Sequence, residues 1–364
     1  MPVKRVLHVF GKLNRGGAET LVMNIFRSID RGAYQFDFIV HSPEQGEYEK
    51  EITELGGIIF RFPRFNLANT LSYRHHWRSF LREHSEYDAV HIHVSNFAYV
   101  ILAELSEAQT SLRIVHAHSD SDASVVKRLI VRSYRNHICR DASHLLAVSK
   151  SAASFAYGTS DDVYIIPNAI DIARFRFKEE DREIVRAELK LDDKIVVGHI
   201  GSFTKPKNHS FLIRVFDEFA SQHKNAVLLL VGEGDLKEAI TQQTRVYHND
   251  VRFLGSRSDV HRLLQAIDVL CMPSLYEGLP LAAVEAQASG LPCLLSNTIS
   301  SEAKIVEGIT EFLPLSSSLK EWASVLHQMT LIAREDHSDI LRAAGYDMTE
   351  QVKWYEKLYS GGVI

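Results

Sequence analysis

Short apolar runs alternate with stretches of helical periodicity along almost the whole chain. Six runs in the first half have the length and composition of buried β-strands. They are Val6–Phe10, Phe36–Val40, Ala89–His93, Arg113–His116, His144–Val148 and Val163–Ile166. The stretch after the first run places its apolar residues on one helical face, namely Leu21, Val22, Ile25, Phe26 and Ile29. This pattern predicts strands separated by amphipathic helices.

The second half repeats the alternation. Its predicted strands are Lys194–Ile200, Val227–Val231, Val269–Cys271 and Cys293–Leu295. Its predicted helices are Ser210–Ala220, Leu236–Thr241, Val260–Ala266, Leu281–Ala288 and, near the end of the chain, Thr349–Tyr359. Strands that alternate with helices are typical of a parallel sheet covered by helices on both faces. An α/β fold is therefore predicted for both halves.

A chain of 364 residues exceeds the usual size of one hydrophobic core, so two domains are expected. We predict a Rossmann-like domain over residues 1–168, a second over 169–345, and a C-terminal helix within 346–364 that packs back on the first domain. The boundary is predicted in Ile165–Phe175, where Pro167 and Asn168 interrupt the strand pattern. Because such sheets bind ligands outside the carboxyl ends of their strands, the two sheets are expected to face a central cleft that holds the site.

Composition narrows the class of protein. Hydrophobic residues make up 45% of the chain and charged residues 24%, as in water-soluble globular proteins. The net charge of −5 gives no reason to expect a nucleic-acid partner. Three cysteines form neither a disulfide framework nor a metal-ligand cluster, which favours the reducing cytoplasm. The apolar run Val6–Phe10 is too short for a signal peptide or a membrane span.

One local segment is strongly basic. Between Ala123 and Arg140 the chain has no acid and five cations, at Lys127, Arg128, Arg132, Arg135 and Arg140. Apolar residues recur at every fourth position, at Val126, Ile130, Tyr134 and Ile138. A basic amphipathic helix of this kind lies on anionic lipid in some proteins and packs its apolar face on a domain core in others. Both interpretations stay open.

The apolar stretch Tyr276–Pro292 contains two glutamates, Glu277 and Glu285. Glu277 falls in the loop after a predicted strand, and Pro280 suits the first position of the helix that carries Glu285. Carboxylates in these places can accept hydrogen bonds from the hydroxyl pairs of sugar rings, while free N–H groups at the helix start can bind phosphate. Each glutamate alone also has a structural interpretation, as a partner of the helix dipole or as an exposed helix residue.

The segment EGLPLAAVE from Glu277 to Glu285 resembles the E-x7-E segment of retaining GT-B glycosyltransferases, specifically glycosyltransferase family 4. Seven further segments are similar to family segments in the same order. They are GGAET, HAHS, AVSKS, IPNAID, HIGSFTKPKNH, VGEGD and FLGSRSDV. The resemblance covers nearly the whole chain, and members that build exopolysaccharide or capsule look most similar. It implies the GT-B fold, with two Rossmann-like domains.

The resemblance also implies roles in binding the donor. It places Glu277 near hydroxyls of the donor sugar, Glu285 on the nucleotide ribose and Lys207 on the diphosphate, with Lys205 as an alternative cation. Gly278, Leu279 and Pro280 complete the donor-binding segment. Ser202 stands where many members have arginine, so that one expected cation is missing.

In the first domain the resemblance points to Gly16, Gly17 and His118. The two glycines let backbone amides approach the pyrophosphate or the acceptor, although a tight strand–helix turn explains them equally well. Glu19 is interpreted as support for the helix N-terminus. His118 matches the family histidine close to the reacting sugar, whereas His116 is interpreted as a core or supporting residue.

Together these features predict a retaining hexosyltransferase that uses a nucleotide diphosphate-sugar, most simply a UDP-sugar. The sequence shows no His, Asp or Glu cluster with the spacing of a metal site and no D-x-D motif of the kind that metal-dependent glycosyltransferases use, so neither a metal nor a cofactor is expected. The expected acceptor is a glycan or lipid-linked glycan at the inner face of the cell membrane, with the segment Ala123–Arg140 as the membrane contact. The alternatives are a nucleotide-sugar epimerase of GT-B fold, whose pattern lacks EGLPLAAVE, and a non-catalytic GT-B partner subunit, suggested by Ser202.

Overall fold

The chain forms two α/β units, one of Met1–Ala169 with Asp347–Ile364 and one of Ile170–Tyr346. The computed structural model describes residues 3–14, 16–118, 125–247, 249–362 and 364, and for residues 125–131 the backbone only. The division after Ala169 lies inside the segment Ile165–Phe175 that the sequence indicated as a boundary.

Within the described residues, the first unit is built on a seven-stranded parallel sheet in the order β3-β2-β1-β4-β5-β6-β7. The strands are β1 (Lys4–Phe10), β2 (Tyr34–Val40), β3 (Ile59–Arg61), β4 (Ala89–Ile92), β5 (Leu112–Ala117), β6 (His144–Ala147) and β7 (Tyr164–Ile165). The helices between them are α1 (Gly17–Ser28), α2 (Glu49–Glu54), α3 (Thr70–Glu83), α4 (Ala98–Glu107), α5 (Val125–Asp141) and α6 (Lys150–Tyr157).

The described part of the second unit has a six-stranded parallel sheet in the order β10-β9-β8-β11-β12-β13. Its strands are β8 (Ile195–Ile200), β9 (Ala226–Val231), β10 (Asp250–Gly255), β11 (Val269–Met272), β12 (Cys293–Ser296) and β13 (Thr310–Leu313). Its helices are α7 (Ile172–Phe175), α8 (Glu179–Glu188), α9 (His209–Gln222), α10 (Lys237–Thr244), α11 (Val260–Ala266), α12 (Leu281–Ala288), α13 (Leu319–Thr330) and α14 (Ser338–Ala343). The predicted α/β class with parallel sheets is confirmed for both units.

Apolar layers cover both faces of the first sheet. The predicted face of α1 is buried, and Phe26 packs with Phe36 in one of these layers. The layer on the other face contains Tyr73 and Trp77 of α3, which are both fully buried. The helical periodicity that predicted α1 thus corresponds to a real core contact.

The last helix, α15 (Met348–Tyr359), belongs to the first unit. Its residues Tyr355 and Tyr359 are buried in the same layer as α1. The hydroxyl of Tyr34 donates a hydrogen bond to the backbone carbonyl of Glu356 at 2.9 Å. Among the described helices, none is both long enough and apolar enough to cross a membrane.

The sequence pattern missed three strands, β3, β10 and β13. All three lie at edges of the two sheets. An edge strand is covered by fewer neighbours than a central strand and tolerates charged residues. Arg61, Asp250 and Glu311 are exposed members of these strands, and they interrupt the apolar runs by which the central strands were recognised.

Candidate functional site

The strand order of each sheet reverses at one point, between β1 and β4 in the first unit and between β8 and β11 in the second. In doubly wound sheets this switch point opens the crevice in which ligands bind. The loops that follow β8 and β11 contain Lys207 and Glu277, and the loop that follows β1 contains Gly16. The topology therefore brings the predicted residues to the positions where such sheets bind ligands.

Two hydrogen bonds hold the loops after β8 and β11 together. The side-chain amide of Asn208 donates to the carbonyl of Pro273 at 2.9 Å, and the N–H of Leu275 donates to the carbonyl of Pro206 at 2.7 Å. Asn208 adopts a left-handed conformation with φ of 54°, which asparagine tolerates better than most residues. The positions of Lys207 and Glu277 are thus fixed relative to one another by the backbone.

Lys207 and Glu277 form an ion pair. The distance from Lys207 Nζ to Glu277 Oε2 is 2.5 Å, and only 19% and 13% of the two side chains are exposed. The hydroxyl of Ser274 donates to the other carboxylate oxygen, Oε1. Both oxygens of Glu277 therefore have a partner, a contact that the sequence did not reveal.

Two further polar residues of the loop after β8 lie at its surface. Lys205 and Ser202 are exposed, and the Ser202 hydroxyl lies 3.4 Å from that of Thr204. A Cβ atom on Gly201 would lie 3.0 Å from Lys207 Cε, so the lysine stem crosses this glycine closely. The structure thus brings Lys207, rather than Lys205, to Glu277.

Glu285 lies in the second turn of α12 and is half-buried. Among the described residues its carboxylate has no hydrogen-bond or ion-pair partner. Burial raises the pKa of Glu285 to about 7, and the charge of Arg174 opposes this rise. A half-buried carboxylate without a partner is costly unless a ligand supplies hydrogen-bond donors.

Among the described residues, no side chain caps the start of α12. The helix begins at Leu281, and Pro280 is the residue before it, so the expectation that Pro280 occupies the first helical position was wrong. The N–H groups of the first helical residues have no partner inside a helix and favour a bound anion. Gly278 and Leu279 are half-buried in the loop that leads to this end.

In the first unit, Gly16 caps α1 and Gly17 is its first residue. A Cβ atom on Gly16 would lie 2.3 Å from a carboxylate oxygen of Glu19, so this side chain folds back over the glycine. Burial raises the pKa of Glu19, and the hydrogen bond to its own backbone N–H lowers it. Glu19 thus lies at the helix N-terminus, as its interpretation as a supporting residue requires.

His118 follows β5 and is the end of a cluster of five histidines that the sequence analysis missed. The other members are His8 of β1, His91 of β4, His93 directly after β4, and His116 of β5. All four are buried. Burial lowers the pKa of His118 to about 3 and that of His93 well below its usual range. The available signal was His8 in LHVF together with histidines at alternate positions in VHIH and VHAH. These positions share one face of the sheet, because β1, β4 and β5 are neighbours.

Within the described residues, two histidine trios have ring nitrogens within 4.8 Å of one another, as a bound metal ion would require. They are His8, His91 and His93, and His93, His116 and His118. The sequence-based statement that no histidine cluster has metal-site spacing therefore does not extend to three dimensions. Four ring nitrogens in these trios face one another in two hydrogen bonds instead, His8 Nδ1 to His93 Nε2 and His93 Nδ1 to His118 Nε2.

The basic segment Ala123–Arg140 is described only in part. Residues 123 and 124 and the side chains of Lys127 and Arg128 lie outside the described residues. Arg132 and Arg140 are exposed, and Arg140 forms an ion pair with Asp141. On the opposite side Ile138 is buried and the ring of Tyr134 stacks on Tyr99 at 3.6 Å. The described part therefore packs its apolar side inward, and contact with lipid stays a prediction.

Comparison with known proteins gives matches along most of the chain. Residues 15–174 match the family described as Glycosyltransferase Family 4, and residues 180–326 match Glycosyl transferases group 1. The putative glycosyltransferase EpsF of Bacillus subtilis is 33% identical over 362 residues, which cover 96% of this chain and 94% of that protein. The capsular polysaccharide biosynthesis glycosyltransferase CapH of Staphylococcus aureus is 22% identical and covers 98% of both chains.

Two further comparisons concern ligands and fold. The UDP-Gal:alpha-D-GlcNAc-diphosphoundecaprenol alpha-1,3-galactosyltransferase of Escherichia coli is 22% identical over 306 residues, 78% of both chains. The crystal structure of Anabaena Alr3699/HepE in complex with UDP has a TM-score of 0.81 at 19% identity and covers 99% of this chain and 100% of that one. A UDP-glucose complex of the same protein has a TM-score of 0.75. The structural likeness shows that the fold of this chain is GT-B.

Proposed function

This chain belongs to the glycosyltransferases of the group 1 and family 4 type, and we propose that it transfers a hexose from a UDP-sugar to a lipid-linked glycan with retention of anomeric configuration. The observation that carries the proposal is the set formed by Lys207, Glu277 and the unpartnered Glu285 at the ligand-binding edge of the second sheet. These are one cation and two carboxylates, as a diphosphate, a sugar and a ribose require.

The named relatives support the choice of donor and acceptor. Alr3699/HepE is a protein of the same fold that binds UDP and UDP-glucose. The Escherichia coli relative is named for transfer from UDP-Gal to a diphosphoundecaprenol-linked sugar. EpsF and CapH are named as a putative glycosyltransferase and as a capsular polysaccharide biosynthesis enzyme. We therefore place the proposed reaction in polysaccharide synthesis.

Donor binding in this proposal exchanges one ion pair for another. Lys207 has Glu277 as its anionic partner. A diphosphate brings two anionic groups and attracts Lys207 together with the free N–H groups at the start of α12. Glu277 is then released to accept hydrogen bonds from the sugar, and Glu285 accepts them from the ribose.

The chemical step breaks the bond from the sugar anomeric carbon to the phosphate oxygen and forms a bond to the acceptor oxygen on the same face. The acceptor proton passes to the departing phosphate oxygen. Lys207 stabilises the negative charge that grows on the leaving diphosphate, and His118 donates a hydrogen bond to a sugar hydroxyl. This scheme requires neither a metal ion nor a cofactor, because a lysine and a helix N-terminus carry the charge of the diphosphate.

The test is a donor screen followed by analysis of products. UDP-sugars are expected to raise the melting temperature because ligands that bind only the folded state stabilise it. The stabilising donor is then incubated with vesicles that contain undecaprenyl-diphosphate-linked sugars, and products are identified by mass spectrometry. A lipid product heavier by one hexose supports the proposal, and the anomeric configuration is determined by NMR.

Two other outcomes would contradict it. A changed UDP-sugar formed without any acceptor would indicate an epimerase. Failure of every nucleotide-sugar to bind would indicate a partner subunit without catalytic activity.

A further inference from the structure

Three of the buried histidines form one continuous hydrogen-bonded chain. His8 Nδ1 lies 3.1 Å from His93 Nε2, and His93 Nδ1 lies 2.8 Å from His118 Nε2. Both ring nitrogens of His93 are therefore used. Among the described residues the two terminal atoms, His8 Nε2 and His118 Nδ1, are buried and have no hydrogen-bond partner.

The ring of His93 is held in place by stacking. It lies parallel to the ring of Phe10, with 4.3 Å between centroids and an angle of 7°. The centroid of the His91 ring lies 4.2 Å from that of His93, and the two ring planes are inclined by 28°. His91 is itself fixed, since its Nδ1 lies 2.8 Å from the hydroxyl of Tyr359. The geometry between His93 and His118 is thus set by packing.

All three imidazole rings of this hydrogen-bonded chain are neutral near pH 7. Burial lowers the pKa of His8 and of His118 to about 3, and that of His93 well below its usual range. A neutral imidazole has one N–H donor and one bare acceptor nitrogen. Because His93 uses both nitrogens, the two hydrogen bonds must point in the same direction along the chain.

Two directions satisfy this condition, and they leave an unpaired N–H at opposite ends. In one direction the unpaired N–H is at His8 Nε2, on a fully buried side chain packed against Phe36 and Phe38. In the other it is at His118 Nδ1, which is also buried but belongs to a half-buried residue just beyond the carboxyl end of β5, where ligands of such sheets bind. An unpaired N–H at His8 Nε2 lies where no ligand can reach it, so the cost of its missing hydrogen bond is never recovered. The second direction is therefore favoured.

We propose that His8 and His93 are positioning residues that hold His118 in the tautomer with its proton on Nδ1, as a hydrogen-bond donor to the sugar. His8 Nδ1–H donates to His93 Nε2, His93 Nδ1–H donates to His118 Nε2, and His118 Nδ1–H is left for a ligand oxygen. This inference rests on the proposed function for the identity of the ligand, although the tautomer itself is a property of the free protein. A tautomer fixed before binding means that no ring proton has to move when the sugar arrives.

The direct test is NMR of the wild-type protein, labelled with ¹⁵N in the histidine rings and measured without substrate. The signals of His118 are assigned by their loss in His118→Gln. We expect a protonated Nδ1 and a bare Nε2 at His118. A protonated Nε2 would overturn the proposal, whether or not the protein transfers sugar.

Variants then connect the tautomer with catalysis. His93→Phe retains an aromatic ring in the stack but removes both hydrogen bonds, so the His118 proton is expected to redistribute and kcat to fall on the order of 10-fold. UDP affinity is expected to stay unchanged, because the nucleotide is held by other residues. His8→Asn keeps an N–H donor near the position of Nδ1 and is expected to retain the tautomer and kcat better than His8→Phe.

His116→Phe is the matched control, since it changes a fully buried histidine of the same cluster whose two ring nitrogens have no partner among the described residues. It is expected to leave the His118 tautomer unchanged. Equal loss of kcat in His93→Phe and His116→Phe would overturn the proposal, because it would show only an effect of packing. If His118 carries its proton on Nδ1 but the protein has no transferase activity, the proposed function is refuted and the positioning roles of His8 and His93 remain.

Discussion

Replacing Glu285 with glutamine is expected to change stability and nucleotide binding in opposite directions. The carboxylate is half-buried, and burial raises its pKa from 4.5 to about 7. Between these pH values the folded chain retains a proton that the unfolded chain has lost, so the free energy of unfolding falls as the pH rises. At about 1.36 kcal/mol per pKa unit the loss is about 3 kcal/mol above pH 7, and solvent at the carboxylate lowers this to about 2 kcal/mol.

The Glu285→Gln variant lacks this titration. It is expected to exceed the wild type in stability by about 2 kcal/mol near pH 8 and to match it near pH 4, where the carboxyl is protonated in both states. For a unit of this size, about 2 kcal/mol corresponds to a rise of about 4–8 °C in melting temperature. Thermal unfolding over a series of pH values measures the difference.

UDP binding is expected to weaken in the same variant by about 1–3 kcal/mol, because charge-assisted hydrogen bonds to the ribose are lost. The wild type should also bind UDP less tightly as the pH falls through about 7, since the carboxylate that accepts those bonds becomes protonated. Calorimetry over the same pH series measures both effects.

A suitable control is Glu183→Gln, which changes an exposed glutamate on α8 of the same unit and is expected to change neither quantity. Equal stability of wild type and Glu285→Gln at every pH would refute the argument from burial. Unchanged UDP affinity in a folded Glu285→Gln protein would refute the role in ribose binding.

Three further predictions concern catalysis, metal and membrane. Lys207→Ala is expected to lower kcat on the order of 10²-fold by removing charge stabilisation from the leaving group. If Lys207→Ala leaves kcat unchanged and Lys205→Ala lowers it, Lys205 is the residue that binds the diphosphate. Transferase activity is expected to persist after exhaustive chelation. If activity is lost and then restored by Mn²⁺, Mg²⁺ or Zn²⁺, the reaction requires a metal ion, and the histidine trios are candidate ligands. Wild-type protein is expected to cosediment with anionic but not neutral vesicles at low salt, and less so after Arg132→Glu with Arg140→Glu; indifference of the wild type to anionic vesicles would favour a soluble acceptor.

Much of the fold was predictable because its central strands and helices carry local patterns. β8 and β11 are covered on both faces and form continuous apolar runs, and α1 and α15 have apolar positions at helical spacing. The edge strands β3, β10 and β13 could not be recognised in this way, because one side of each lacks a neighbouring strand and their charged residues reach solvent.

For the candidate site, the sequence by itself determined the residue types and their places after strands. Lys207 follows β8 and Glu277 follows β11, and segments around them resemble one family. Only the tertiary structure decided the partners. It set Lys207 rather than Lys205 against Glu277, which is 70 residues away, and it left Glu285 half-buried with no partner in the described part of the chain.

The histidine chain shows the same division most clearly. One histidine in β1 and alternate histidines at the ends of β4 and β5 were present in the sequence, but each segment alone says only on which face its histidines lie. The order of strands in the sheet, β1-β4-β5, places His8, His93 and His118 side by side although they are 85 and 25 residues apart. Hydrogen bonds between such residues depend on which strands become neighbours, and that choice is made by packing of the whole sheet rather than by any local pattern.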